Sequence, residues 1–226
     1  MLIGGQAIAL WSAQLADYLP EDAEPVSSRD LDFQGSRDDV ELAARLLSGE
    51  SFIAAIDDFT PMTGKAVFLD SDGHKRTLDF LAQPYGLDAE DVDKTAIEIE
   101  VIAGDRTIPL WVMHPERCLR SRVANSALPN KQTDLAWRQL TRAIECVHAF
   151  GLLLLDVGES PRVVTQLNER VFELAYHDRR ARKIYADRGI DVLDALIDDD
   201  RLSDAHRQIR LPQMRQLVTA RRDGTP

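Results

Sequence analysis

The sequence predicts an α+β fold: a small mixed β-sheet core with helices, followed by a helical C-terminal portion. Three observations carry this. Two hairpin signals fall between residues 66 and 112, helical periodicity runs without a strand from Pro115 to the end, and the segment ahead of the hairpins mixes helix with strand. At 226 residues the chain suffices for one large domain or two small ones. The pattern sets an α/β core over 1–113 and a helical region over 114–226 packed on it.

Ile8, Leu10, Trp11, Leu15 and Tyr18 recur at helical spacing after Gly4-Gly5, and Pro20 stops the helix, so the chain opens as a strand stub, a glycine turn and a helix. Residues 19–28 are rich in Pro, Glu and Ser and read as a loop. Asp30-Leu31-Asp32-Phe33 alternates polar with apolar as a short strand does. Val40 to Leu47 reads as a helix capped by Ser36 or Asp38. A hairpin joins Ala66–Leu69 to Thr77–Leu81 across Asp70-Ser71-Asp72-Gly73, where Asp-Gly is the strong cue. A second joins Ala96–Ile102 to Thr107–Val112. Helices are then expected over roughly 115–127, 133–149, 161–185, 189–197 and 203–221.

Composition narrows the function classes. No apolar stretch approaches the ~18 residues of a membrane span, and the N-terminus lacks the basic region of a secretory signal. Two cysteines, Cys118 and Cys146, make neither a disulfide framework nor a zinc set, which suits a reducing cytoplasm and buried thiols. The net charge of −11 is uneven: residues 1–113 carry 8 Lys/Arg and 22 Asp/Glu, a net −14, while residues 114–226 carry 19 and 16, a net +3. An acidic half of this kind suits metal coordination and a basic half suits phosphate, although most of the acids are expected to be solvated surface. P-loop, dinucleotide-fingerprint, zinc-protease and hydrolase-elbow motifs are absent, and the five histidines form no i, i+4 pair.

One acidic pattern stands out. With 26 Asp in the chain, about three D-x-D triplets arise by chance and four occur, so the triplet alone means nothing. Asp30-x-Asp32 differs in context. On a strand, Leu31 and Phe33 face one way and the two carboxylates the other, a like-charge pair that costs stability without a cation. Asp79, in Leu78-Asp79-Phe80-Leu81, is a third acid set between apolar strand residues, and the three converge if its strand lies beside the first. Upstream, Gly4-Gly5 turns the strand stub into a helix, where backbone can approach a phosphate and helix N–H groups face it. Phosphate cradle plus metal-holding acids is the equipment of phosphoryl or nucleotidyl transfer.

Ile3-Gly4-Gly5, Asp30-Leu31-Asp32-Phe33 and Leu78-Asp79-Phe80, in that order, resemble the glycine turn, h-D-x-D and h-D-h motifs of the nucleotidyltransferase superfamily, the fold of DNA polymerase beta. With Gly4-Gly5-Gln6-Ala7 and Ser28-Arg29 included, the chain looks most like the bacterial group related to AbiE-type toxins, over about residues 1–145. The resemblance implies that Asp30 and Asp32 hold two Mg²⁺ and that Asp79 binds one metal and helps deprotonate an acceptor hydroxyl. It implies a nucleoside triphosphate (NTP) as substrate and places Gly4, Gly5, Ser28, Arg122 and Lys131 in its binding site. Lys131 and Asp134 match the related K-x-x-D arrangement, and Arg122 stands where the family frequently has lysine. The bland reading of Arg117, Arg120 and Arg122 is a solvated helix face.

The activity implied is Mg²⁺-dependent transfer of a nucleoside monophosphate (NMP) group to a hydroxyl of RNA, protein or a small molecule, possible in a toxin–antitoxin or phage-defence setting with an antitoxin partner. The alternative is a non-catalytic binding or regulatory module on the same fold. Two departures accompany the resemblance. The loop from Gln6 to Arg29 is long, and relatives carry a helix and most of a strand before the glycine turn, so a truncated start with a partly bare sheet edge is expected. Arg179-Arg180-Ala181-Arg182-Lys183, with Arg207, Arg210, Arg215, Arg221 and Arg222, makes the last third basic. It reads either as an RNA-docking surface for tRNA or as a solvated helix face or the mate of the acidic half.

Overall fold

The computed structural model describes residues 1–21, 25–26, 31–55 and 61–224, and it is α+β: helices, a mixed four-stranded sheet and a two-stranded sheet. The chain divides into two compact units, Met1–Leu10 with Pro25–Ser121 and Trp11–Glu24 with Arg122–Pro226.

The first unit holds the start of α1 (Gly4–Gln14), which ends in the second, and then β1 (Leu31–Gln34), α2 (Arg37–Leu46), β2 (Glu50–Ile53), β3 (Met62–Leu69) and β4 (Lys75–Leu81). The four strands order as β1-β4-β3-β2, with β1 parallel to β4 and the others antiparallel. The expected first hairpin is β3–β4. Its turn closes where Gly73 adopts φ +79 and Asp70 Oδ1 accepts the N–H groups of Asp72 at 3.0 Å and His74 at 2.9 Å. β2 has no counterpart in the sequence-based reading: its four residues lack an alternating pattern, and three of them are exposed on this edge strand.

Ser36, rather than Asp38, caps α2. Its Oγ accepts the Asp39 N–H while the Asp39 carboxylate accepts the Ser36 N–H, a reciprocal box that starts the helix at Arg37. The helix lays Val40 and Ala44 on one face of the sheet, against Ala66 and Phe80, with Phe33, Ile53 and Leu78 packed around them. The Phe33 and Phe80 rings stack at 5.8 Å. Each fully buried aliphatic side chain here contributes about 1.5–3 kcal/mol.

After α3 (Ala89–Thr95), β5 (Ile97–Ala103) and β6 (Arg106–Val112) form the second expected hairpin. The stub at Leu2 bridges β1 and β6, antiparallel to Phe33 and parallel to Val112, so β1 is met on its second edge.

α4 (Pro115–Ser126) ends in the second unit. There α5 (Asp134–Asp156), α6 (Pro161–His177), α7 (Arg179–Arg188) and α8 (Leu211–Arg222) follow. α5 runs past the expected residue 149, and within that extension Gly151 lies against Ile197, whose Cγ1 a Cβ would meet at 2.5 Å. The single helix expected over 161–185 is two: Asp178 ends α6 and its side chain accepts the Arg180 N–H to start α7. In place of a helix over 189–197 there is a short 3₁₀ turn, Val192–Ala195. Ahead of α8, Ala205–Arg210 widens into a π-turn, which accommodates Pro212, whose ring and missing N–H disrupt regular α geometry one turn upstream. Buried Leu140, Val147, Val164, Val171 and Met214 form the core, and Trp11 meets Phe150 edge-on at 5.6 Å. Both cysteines are free and buried, and burial pushes the Cys146 thiol up to about 11. Among the described residues no helix is long and apolar enough to cross a membrane.

Candidate active site

Parallel pairing of β1 with β4 sets Asp32 directly beside Asp79. In-register neighbours project from the same face, so the two carboxylates share one face while Phe33 and Phe80 turn to α2 on the other. Asp30 and Ser28 lie outside the described residues. The condition set by the sequence, that the strand of Asp79 lie beside that of Asp32, is therefore met for two of the three acids.

Asp32 is held from below. The Ile3 N–H donates to its carbonyl at 3.0 Å, and Gly4, at φ +69, presents bare backbone to its side chain. A Cβ at Gly4 would stand 2.4 Å from Asp32 Oδ2. Both Gly4 and Gly5 are buried, and what Gly4 does in this structure is seat the carboxylate at the positive end of α1.

Asp79 differs. Its Oδ1 is buried and accepts no hydrogen bond. Leaving a buried carboxylate oxygen without a donor costs about 1–3 kcal/mol or more, beside a second acid that repels it. Across the sheet the row continues with Lys65 on β3, the direct partner of Asp79, and then Phe52 on β2. No ion pair joins Lys65 to Asp79. Lys65 is absent from the motif reading, but the hairpin could have revealed it: pairing Leu69 with Lys75 around the turn places Lys65 opposite Asp79.

An orphaned buried carboxylate oxygen, a second carboxylate in register and a glycine seat fit a divalent cation. Another acidic group, Asp70, Asp72 and His74, brings possible ligand atoms within 4.8 Å of one another. It lies in the β3–β4 turn, where Asp70 already accepts two backbone N–H groups and the Arg76 Nε–H at 2.7 Å. Arg76 holds the Asp70 carboxyl below its ordinary value. This is a turn being formed.

The remaining predicted residues belong to the second unit. Arg122 Nη1 donates to Gln139 Oε1 at 2.7 Å, and Lys131 is exposed at the end of a 3₁₀ turn, Pro129–Lys131. Asp134 is the first residue of α5, capped by Thr133. Arg117 and Arg120, in the first unit, do not solvate a helix face: both pair with fully buried Glu116, and Arg117 also reaches Asp91 at 2.9 Å. The basic last third is largely internally paired, with Arg180 on Asp178, Lys183 on Asp187, Arg207 on Asp198, Arg210 on Glu169 and Arg222 on Asp191. No family model, curated protein or solved structure matches this chain.

Proposed function

We propose that the chain is a Mg²⁺-dependent nucleotidyltransferase that moves an NMP group from an NTP to an acceptor hydroxyl. The observation that carries the reading is the in-register pair Asp32 and Asp79 with the Asp79 Oδ1 buried and unpartnered. The glycine seat under Asp32 and the motif order in the sequence support it.

Asp32 and Asp79 would hold Mg²⁺, with Asp30 as the further ligand that the resemblance implies. When bound, Mg²⁺ supplies charge neutralisation at the α-phosphate and acidifies the acceptor hydroxyl. In the reaction the acceptor oxygen bonds to the α-phosphorus, the bond from that phosphorus to the bridging oxygen breaks, and pyrophosphate leaves with the electron pair. Asp79 takes the hydroxyl proton. Lys65, as a cation in the same row, suits an anionic phosphate oxygen. Of the NTP-contact residues that the resemblance implies, Gly5 and Ser28 belong to the same unit as the two acids, while Gly4 is taken up by the Asp32 carboxylate. The acceptor is RNA such as tRNA, a protein or a small molecule, in a cytoplasmic toxin–antitoxin or defence setting.

The test is incubation with Mg²⁺ and each labelled NTP, reading pyrophosphate release and label transfer, alongside Asp79→Asn and Asp32→Asn. Wild-type transfer that falls at least about 10³-fold in either variant is the expected result, since removing a metal-holding acid removes several kcal/mol of transition-state stabilisation. Without metal, Asp79→Asn should melt at or above the wild-type temperature, because like-charge repulsion is relieved. Full transfer by both variants sinks the reading. Metal and NTP binding without transfer supports instead a binding module on the same fold.

A further inference from the structure

A cleft of about 330 Å³ opens in the second unit between the end of α4, the start of α5 and α7. Its polar lining is Ser126, Gln132, Arg180, Lys183, Asp187 and Arg188. None of these residues takes part in the Asp32–Asp79 site.

Ser126 is the telling residue. It is 1% exposed, and its Oγ makes no hydrogen bond. A helical serine usually satisfies its hydroxyl on the carbonyl one turn back or in water. Here the hydroxyl does neither within the protein, and a buried donor left so costs about 1–3 kcal/mol. A ligand acceptor in the cleft removes that cost.

The charge of the lining says what kind of acceptor. Three cations stand against one carboxylate, Asp187, which takes a single hydrogen bond from Lys183 at 2.7 Å. Lys183 has three donors, so two remain for a ligand. Arg188 makes no ion pair among the described residues, and its guanidinium lies over the Trp137 ring at 5.0 Å. Arg180 is tied to Asp178 beside the cleft, at 2.7 Å. Residues bearing a hydroxyl, an ammonium and a guanidinium line this one cleft, a set that matches the several acceptor oxygens and double charge of a phosphate monoester. A lone inorganic ion would leave most of the space and the apolar wall of Trp137 and Ile184 unused, since ligand pockets of roughly 300–1,000 Å³ hold whole organic molecules.

We infer that this cleft binds a small organic phosphate of nucleotide size, its phosphate on Ser126, Lys183 and Arg188 and its organic part against Trp137 and Ile184. The inference is independent of the nucleotidyltransferase reading, and the test keeps the two apart by excluding divalent metal. AMP, ribose 5-phosphate, adenosine and inorganic phosphate are titrated in EDTA into the full chain, wild type, Ser126→Ala and Arg188→Gln, by calorimetry. The expected result is saturable binding of the two phosphate esters and none of adenosine. Each variant should weaken that binding about tenfold or more, the loss of one charged or buried hydrogen bond. Ser126→Ala should also melt at or above the wild-type temperature without ligand, because it removes an unsatisfied hydroxyl, while Arg188→Gln, at an exposed position, checks binding without touching the core. Absence of saturable ester binding by wild type overturns the inference, as does binding that both variants leave unchanged. Binding of a short single-stranded RNA, lost in the variants while the monoesters fail to bind, overturns it in favour of a polynucleotide backbone.

Discussion

At Gly4 two demands meet in one residue. The backbone is left-handed, φ +69, and the missing Cβ is the space taken by the Asp32 carboxylate. Gly4→Ala therefore carries the left-handed strain of about 1–2 kcal/mol and also pushes the Asp32 carboxylate off its seat. We expect a drop of about 2 kcal/mol in unfolding free energy by urea titration and, if the proposed metal site holds, a smaller rise in melting temperature on adding Mn²⁺ than in the wild type. Asp32 and Asp79 were legible as acids flanked by apolar strand residues, but that they share a face follows from the parallel register of β1 with β4, which alternation within each strand does not decide. The reason for Gly4 was not. A turn glycine looks the same in sequence whether it faces a phosphate or a carboxylate, and only the approach of β1 to the start of α1 decides which. Ser126 carried no signal at all, since a serine at a helix end is ordinary until its hydroxyl is found buried and unmet.

Elements show where local signals suffice and where they fail. The two hairpins and the capped α2 follow from turn and cap chemistry contained in a few consecutive residues. The break between α6 and α7 does not, because helical periodicity continues through Asp178 and only its side-chain bond to the Arg180 N–H reveals a new helix start. A buried contact fixes the next segment. Asn168, fully buried on α6, donates from Nδ2 to the Ile197 carbonyl and accepts the Ile197 N–H, both at 2.8 Å, and its Nδ2 lies 3.0 Å from His206 Nε2. That contact suits an unprotonated Nε2, and burial lowers the His206 pKa below its ordinary 6.5. The folded state then binds fewer protons than the unfolded chain between the two values. Stability from this group is complete above about pH 6.5 and is lost as pH falls toward the lowered value. Unfolding free energy should decline from pH 7 to pH 5, and His206→Gln should flatten that decline in denaturant titrations.

For the whole molecule, charge counts along the sequence said that the second half is nearly neutral, and the structure shows how. Arg180, Arg207, Arg210 and Arg222 are matched to acids of the same unit, so a basic run in sequence is not a basic surface of the same size. Arg210 holds Glu169 below its ordinary value; burial pushes Asp191 up, but its pair with Arg222 outweighs this and the net shift is downward. Stability from both acids is present above about pH 4.5 and is lost as pH falls through their lowered values. Arg222→Ala leaves Asp191 half-enclosed without its cation, and should cost about 2 kcal/mol at pH 7, read by urea titration, with the cost shrinking in acid. The grouping of Trp11–Glu24 with Arg122–Pro226 has no counterpart in the sequence, because it depends on packing between segments over a hundred residues apart.

The β3–β4 turn, though exposed and remote in sequence from Asp32, sets the phase of the row of charges. Its length helps decide whether Lys65 or one of its neighbours stands across from Asp79, while the Asp32–Asp79 pairing belongs to a different strand contact. One glycine added after Gly73 should therefore rotate the lysine out of the row and leave the carboxylate pair intact. On the proposed function, such a variant keeps Mn²⁺ binding, measured by electron paramagnetic resonance, and loses triphosphate affinity, thereby separating the two charges of one site by lengthening a loop that touches neither.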